Sequence, residues 1–233
     1  MVFAFPYSYQ SIDAIVTLYS FIAIPIGYLL GSIPFSYIVA RLFGKIDLRT
    51  EGDGRISAAA VRKRMGTTPF LVVVVLDVCK GFASVLIAKA LVNSSTVEDL
   101  PMISLLIVLG TGFVAVIGHS WSPFIKFQGG LGATVIYGAL AGAFLWPQEA
   151  IALVAGGIAV IITKKSGFST GVIIVTLVII LLLQKLFWTP DMSWIAVVYP
   201  LILILLMVAK RSQVRRKGDF KSTELLENWK ENT

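Results

Sequence analysis

Three glycines within four residues, Gly129, Gly130 and Gly132 in "KFQGGLGATV", follow the only histidine of the chain, His119. Glycines at that density let successive backbone N–H groups turn toward one point and cradle an anion. Phosphate loops commonly add a lysine as point charge. Here Leu131 stands between the second and third glycines, and Lys126 precedes the run. A second set of chemical groups lies in "LDVCKGF", where Asp77 and Lys80 are spaced to share one helical face and pair. Ionisable groups inside an apolar run are costly and normally face a cavity or the bundle interior. Two readings stand for Lys80, a structural ion pair or a cation that meets an anionic substrate. His119 reads first as a hydrogen-bonded structural residue and second as an orienting or proton-accepting group, since imidazole titrates near neutrality.

These groups must be positioned by membrane-spanning helices. Mean hydropathy is +0.85 and only 14% of the 233 residues are charged, which excludes an ordinary soluble domain. Apolar runs near the roughly 20 residues needed to cross a bilayer fall at about 14–40, 68–92, 100–124, 132–146, 148–163, 167–188 and 192–209. The expectation is an all-α polytopic bundle of about seven transmembrane helices. Residues 1–209 form one membrane domain and 210–233 a basic tail. The fourth and fifth runs are short and meet at "LWPQEA", so they also read as one bent hairpin. Lysine and arginine gather on alternate loops: seven from Arg41 to Arg64, then Lys126, Lys164 and Lys165, then the tail. That bias places the amino terminus outside and the carboxyl terminus in the cytoplasm. Five full spans, with re-entrant segments, give the same orientation.

The first span is interrupted at "GSIPFS". Pro34 removes a helix hydrogen bond and frees a carbonyl four residues earlier, while Ser32 supplies a hydroxyl at the break. Broken helices of this kind serve packing alone or turn their ends toward a ligand. The cytoplasmic loop 41–67 carries Asp47, Glu51 and Asp53 among its bases, and "SAAAVRKRMG" reads as a short helix with a basic end. Its natural counterpart is an anion at the membrane surface, a lipid headgroup or a phosphorylated substrate. Cys79 is the sole cysteine, so no disulfide forms within the chain. No His/Cys cluster suggests a metal, and no cleavable signal peptide is evident at the start.

Taken in order, "GSIPFSYIVARLFGKIDLRTEGDGRI", "LDVCKGF" and "AVIGHSWSPFIKFQGGLG" resemble the acyl-phosphate-dependent glycerol-3-phosphate acyltransferases, the bacterial PlsY family. The resemblance implies transfer of a fatty acyl group from acyl phosphate to the sn-1 hydroxyl of glycerol 3-phosphate, giving lysophosphatidic acid for phospholipid synthesis. It further implies a multi-pass protein of the bacterial inner (cytoplasmic) membrane with its active face cytoplasmic. Partners are the two phosphorylated substrates and membrane lipids; neither a cofactor nor nucleic acid is expected. By position in the matching motifs, His119 and Lys80 are the candidate catalytic residues. Ser32, Gly54, Arg55, Lys63, Lys126, Gly129, Gly130 and Gly132 are the candidate phosphate or substrate contacts. Two motifs depart from the family. The pattern Ser-Gly-Asn-x-Gly-Ala-Thr-Asn aligns with Asp53–Ala60, where Gly54 and Ala58 match, and the glycine-loop lysine is Leu131. The family's tail histidine and asparagine fall near Lys210 and Gln213. These departures keep open an alternative: a non-catalytic or altered-substrate paralogue that binds phosphorylated lipid ligands.

Overall fold

The computed structural model describes residues 20–49, 56–92, 102–144, 148–163 and 166–231, with backbone alone at several positions within 144–169 and throughout 215–231. All regular structure among the described residues is helical. The helices are α1 (Ala23–Ser32), α2 (Phe35–Gly44), α3 (Ala58–Met65), α4 (Thr67–Leu91), α5 (Met102–Ser120), α6 (Ala133–Phe144), α7 (Gln148–Thr163), α8 (Ser166–Phe187) and α9 (Trp194–Glu231). A 3-10 turn, Pro123–Ile125, lies between α5 and α6. Among the described residues five segments are long and apolar enough to cross a membrane: Ala23–Gly44 (α1 and α2 together), Thr67–Leu91, Met102–Ile125, Thr170–Phe187 and Trp194–Val214. The short apolar runs at 132–146 and 148–163 appear as separate helices α6 and α7. The basic tail continues α9 without a break through Glu231, so the segment after residue 209 is a helical extension of the last span.

Helix starts and stops follow from local chemistry. Ser57 caps α3 by accepting a hydrogen bond from the Ala60 N–H at 3.2 Å. The basic residues Arg62, Lys63 and Arg64 sit in its last turn, where the helix dipole favours cations. Pro34 ends α1, but the carbonyl released is not the one expected. The Leu30 oxygen accepts from the Ile33 N–H at 3.2 Å, and the oxygen at the break that turns toward the bundle interior is that of Ile33.

Close helix crossings depend on missing side chains. A Cβ on Gly31 would run into the backbone of Ala115, and one on Gly118 into the Tyr28 carbonyl, so α1 and α5 cross at backbone contact. The main core joins α4, α5, α6, α8 and α9 through Val85, Leu105, Ile136, Leu140, Leu177 and Leu203. A smaller cluster, Val39, Leu48, Ile56, Val61, Val73 and Ile125, holds α2, α3 and the described ends of the 41–67 loop against α4. Hydrophobic anchoring therefore folds this basic loop onto the bundle. Asp47 adds a polar tie: it pairs with Arg49 at 2.8 Å and Arg41 at 3.1 Å, and the Arg49 guanidinium stacks over Tyr37 at 4.9 Å.

At the opposite end of the bundle, Ser20 donates to the Leu91 carbonyl at 2.8 Å, and Lys89 donates to the Ala143 carbonyl at 2.9 Å. The second contact satisfies a C-terminal oxygen of α6. With 12 residues that helix is about 18 Å long, shorter than the roughly 30 Å apolar core of a bilayer, and its end carbonyls need partners from the protein.

A buried ion cluster beneath a glycine loop

Three chain irregularities meet beside the middle of α4: the α1–α2 break at Ile33 and Pro34, the end of α5 at His119 and Ser120, and the glycine loop before α6. Non-helical backbone at membrane depth is tolerated where it is buried in protein or lines a cavity. Here side chains from α4 and α5 satisfy part of it. Lys80, only 5% exposed, has three polar neighbours around its ammonium: Asp77 Oδ1 at 2.9 Å, the Ile33 carbonyl at 2.7 Å and His119 Nδ1 at 3.0 Å. The ammonium also lies 5.4 Å from the centre of the Phe35 ring. Asp77 is 1% exposed; its Oδ1 is also 3.6 Å from His119 Nδ1. Ser122, beyond the end of α5, donates to the Ser32 carbonyl at 2.6 Å, which ties the two broken ends together.

The glycine loop rests on this cluster. A Cβ on Gly130 would lie 2.6 Å from His119 Nε2, and one on Gly129 would overlap the His119 carbonyl. Gly132 takes a φ of +84°, which glycine adopts without strain. The Ile136 N–H bonds the Gly132 carbonyl at 2.9 Å to open α6. The first N–H groups of α6 therefore have no intrahelical acceptor at the point where the loop ends. A helix N-terminus joined to a glycine-rich turn is suited to bind phosphate, because unpaired N–H groups and the positive end of the dipole face one place. The Ser120 hydroxyl is 1% exposed and its Oγ has no hydrogen-bond partner. It lies 3.3 Å from where a Gly132 Cβ would stand, so it adds a buried hydroxyl to the same wall.

Of the sequence-predicted site residues, the structure brings together Lys80, His119, Gly129, Gly130 and Gly132. Ser32 lies beside them, fully buried, with its hydroxyl donating to the Tyr28 carbonyl at 2.7 Å. Its Oγ stands against Gly118 of α5, 2.8 Å from where a Cβ there would lie. Lys63 and Lys126 are exposed, and among the described residues no contact joins either to the cluster. Gly54 and Arg55 lie outside the described residues. Leu131, at the family's lysine position, is 38% exposed. A buried cation approaches from another element: Lys210 of α9, 4% exposed, sits 4.6 Å over the Trp121 ring. Gln213 accepts from Trp121 Nε1 at 3.2 Å. Ser120, Ser122 and the Ile33 carbonyl were not singled out by residue type; the two serines flank Trp121 in "HSWS" directly after the histidine. No group of three or more His, Cys, Asp or Glu side chains able to hold a metal occurs among the described residues.

The family model described as "Glycerol-3-phosphate acyltransferase" matches residues 21–218. The chain belongs to the glycerol-3-phosphate acyltransferase family. Among curated members of that family it is similar to a glycerol-3-phosphate acyltransferase of Shouchella clausii (39% identical over 129 residues, 55% of this chain and 59% of that one). It is also similar to glycerol-3-phosphate acyltransferase 2 of Moorella thermoacetica (39% identical over 119 residues, 51% and 56%). The match thus spans a little under three fifths of these relatives' own length. A crystal structure of PlsY (YgiH), an integral membrane glycerol 3-phosphate acyltransferase in its glycerol 3-phosphate form, superposes with a TM-score of 0.67 at 22% identity. That superposition covers 85% of this chain and 91% of that one. The acyltransferase fold is therefore shared, with the ion cluster and glycine loop inside the matched region.

Proposed function

We propose that the chain transfers a fatty acyl group from acyl phosphate to the sn-1 hydroxyl of glycerol 3-phosphate, releasing lysophosphatidic acid and inorganic phosphate. The acceptor oxygen bonds to the acyl carbon as the carbon–oxygen bond to phosphate breaks, and the hydroxyl proton leaves with the released phosphate. The observation that carries this reading is the glycine loop and open N-terminus of α6 resting on Asp77, Lys80 and His119. A phosphorylated substrate needs backbone amides and hydrogen-bond donors at one place, and the loop, the helix start and the ring beneath them support that reading. An acyl phosphate is already activated, so positioning and electrostatic stabilisation supply the rate without a nucleophilic triad. Gly129, Gly130, Gly132 and Ser120 hold phosphate, His119 contributes a ring N–H, and Lys210 supplies the point charge that Leu131 lacks. Arg55, Lys63 and Lys126 attract the anionic substrates to the cytoplasmic face.

The proposed topology has seven crossings, with the amino terminus outside, the carboxyl terminus cytoplasmic and the site open to the cytoplasm of a bacterial inner membrane. It is supported by the five long apolar helices, by α6 and α7 as a shorter pair, and by bases collected on alternate loops. A second reading, a binding protein for phosphorylated lipid, is favoured by Leu131 and by Lys80 having all three donors engaged within the chain. One assay separates the two. Purified protein in liposomes is given palmitoyl phosphate with and without glycerol 3-phosphate, while phosphate and lysophosphatidic acid are followed. Acceptor-dependent phosphate release with matching product is expected. Folded protein that gives no turnover beside an active relative would sink the catalytic reading.

A further inference from the structure

Lys80 is a candidate whose donors are all engaged within the chain. An ammonium has three donors and no acceptor, and its three neighbours, Asp77 Oδ1, the Ile33 carbonyl and His119 Nδ1, lie at 2.9, 2.7 and 3.0 Å. Its ion pair with Asp77 and its bond to a carbonyl leave it one role toward the imidazole, that of donor. His119 Nδ1 is thereby obliged to accept, and a neutral ring must then carry its proton on Nε2. Nε2 is the atom that faces the glycine loop, 2.6 Å from where a Cβ of Gly130 would stand. Among the described residues it has no hydrogen-bond partner.

We infer that Lys80 is a positioning residue that sets the tautomer of His119, so that Nε2–H is held as a hydrogen-bond donor toward an anion in the glycine loop. The inference rests on the acyltransferase reading for the identity of that anion, a substrate phosphate, but not for the tautomer itself. Its consequence is that His119 enters the reaction as a donor and not as a base. Nδ1 is occupied and Nε2 is already protonated, so neither nitrogen takes the proton of the acceptor hydroxyl. The Asp77–Lys80 pair then matters twice, keeping the ammonium in place and orienting the ring through it. Outer partners that orient a histidine and choose its tautomer are a general device.

Because the chain has a single histidine, the test needs no assignment. Full-length protein labelled with nitrogen-15 in histidine is reconstituted in nanodiscs and its ring nitrogens are observed by NMR. Expected are an unprotonated Nδ1 and a protonated Nε2, with the Nε2–H resonance moving when inorganic phosphate or glycerol 3-phosphate is added. Lys80→Met should yield both tautomers or the reverse one, and Lys80→Arg, which also donates and cannot accept, should restore the original. A wild-type ring protonated on Nδ1, or an unchanged tautomer in folded Lys80→Met, would overturn the inference. The spectrum reads no turnover. A protein with the expected tautomer that fails to make lysophosphatidic acid would refute the acyltransferase reading and leave this one standing.

Discussion

Lys80 and Lys89 lie on the same helix, nine residues apart, and are 5% and 3% exposed. Lys89 donates to the Ala143 carbonyl and so closes the end of a helix too short to span. Lys80 joins an acid, an imidazole and the carbonyl of a broken helix. Both are lysines that bilayer energetics would exclude from a lipid-facing position, and both satisfy backbone oxygens. The difference is location. Lys80 sits where the α1–α2 break, the end of α5 and the start of α6 converge, so its neighbours include groups with no intrahelical partner that face a glycine loop. A buried lysine alone is therefore no mark of a site; the unpaired amides and the ring around it are.

Variants can sharpen this contrast, beginning with the largest effect. Gly130→Ala places a methyl group 2.6 Å from His119 Nε2, where loop or ring must move. Loss of that donor geometry should lower kcat by about 100-fold, the scale of removing one oxyanion donor, with thermal unfolding nearly unchanged. Lys89→Met should do the reverse. Leaving the Ala143 carbonyl without its lysine should destabilise the fold by about 1–3 kcal/mol, seen as a lower unfolding temperature, while turnover per folded molecule stays near wild type. Leu131→Lys restores the family's point charge beside an intact cradle, and a gain of about 1.5 kcal/mol should lower KM for glycerol 3-phosphate roughly tenfold.

The smallest effect lies outside the membrane, at Asp47. The side-chain and backbone hydrogen bonds from Arg49 hold its carboxyl below the ordinary carboxylate value, at about 2. A pKa depressed in the folded state stabilises above the unfolded value of 3.8, and that contribution fades as pH falls toward the folded value. The unfolding temperature of Asp47→Asn should therefore sit slightly below that of wild type at neutral pH. The gap should close on acidification, and in high salt, because the pair lies at the surface.

Much of the fold could be read from the sequence because apolar spans and short polar helices are local signals. The 68–92 run became Thr67–Leu91, the 148–163 run became Gln148–Thr163, and Ser57 began the short basic helix. The Asp77–Lys80 pair was equally legible, being set by helical spacing. Contacts between distant segments were not. The Ile33 carbonyl is 47 residues from Lys80 and His119 is 39, and no periodicity reports which carbonyl a proline break will turn inward. Lys210 was named beside the family's tail histidine, yet only the approach of α9 shows it over the Trp121 ring, two residues past His119. The surroundings of Lys80 were hidden for the same reason. The sequence left it as a structural ion pair or a cation that meets an anionic substrate, and three neighbours from distant segments show where its donors are engaged.

The most direct test compares the two lysines in one assay: acceptor-dependent phosphate release by wild-type, Lys80→Met and Lys89→Met protein in the same liposomes, normalised to folded protein. The account predicts turnover in wild type and in Lys89→Met, with a fall of about 100-fold in Lys80→Met. Equal turnover by all three would show that the cluster on α4 does not serve the reaction. An inactive wild type would contradict the proposed acyl transfer itself.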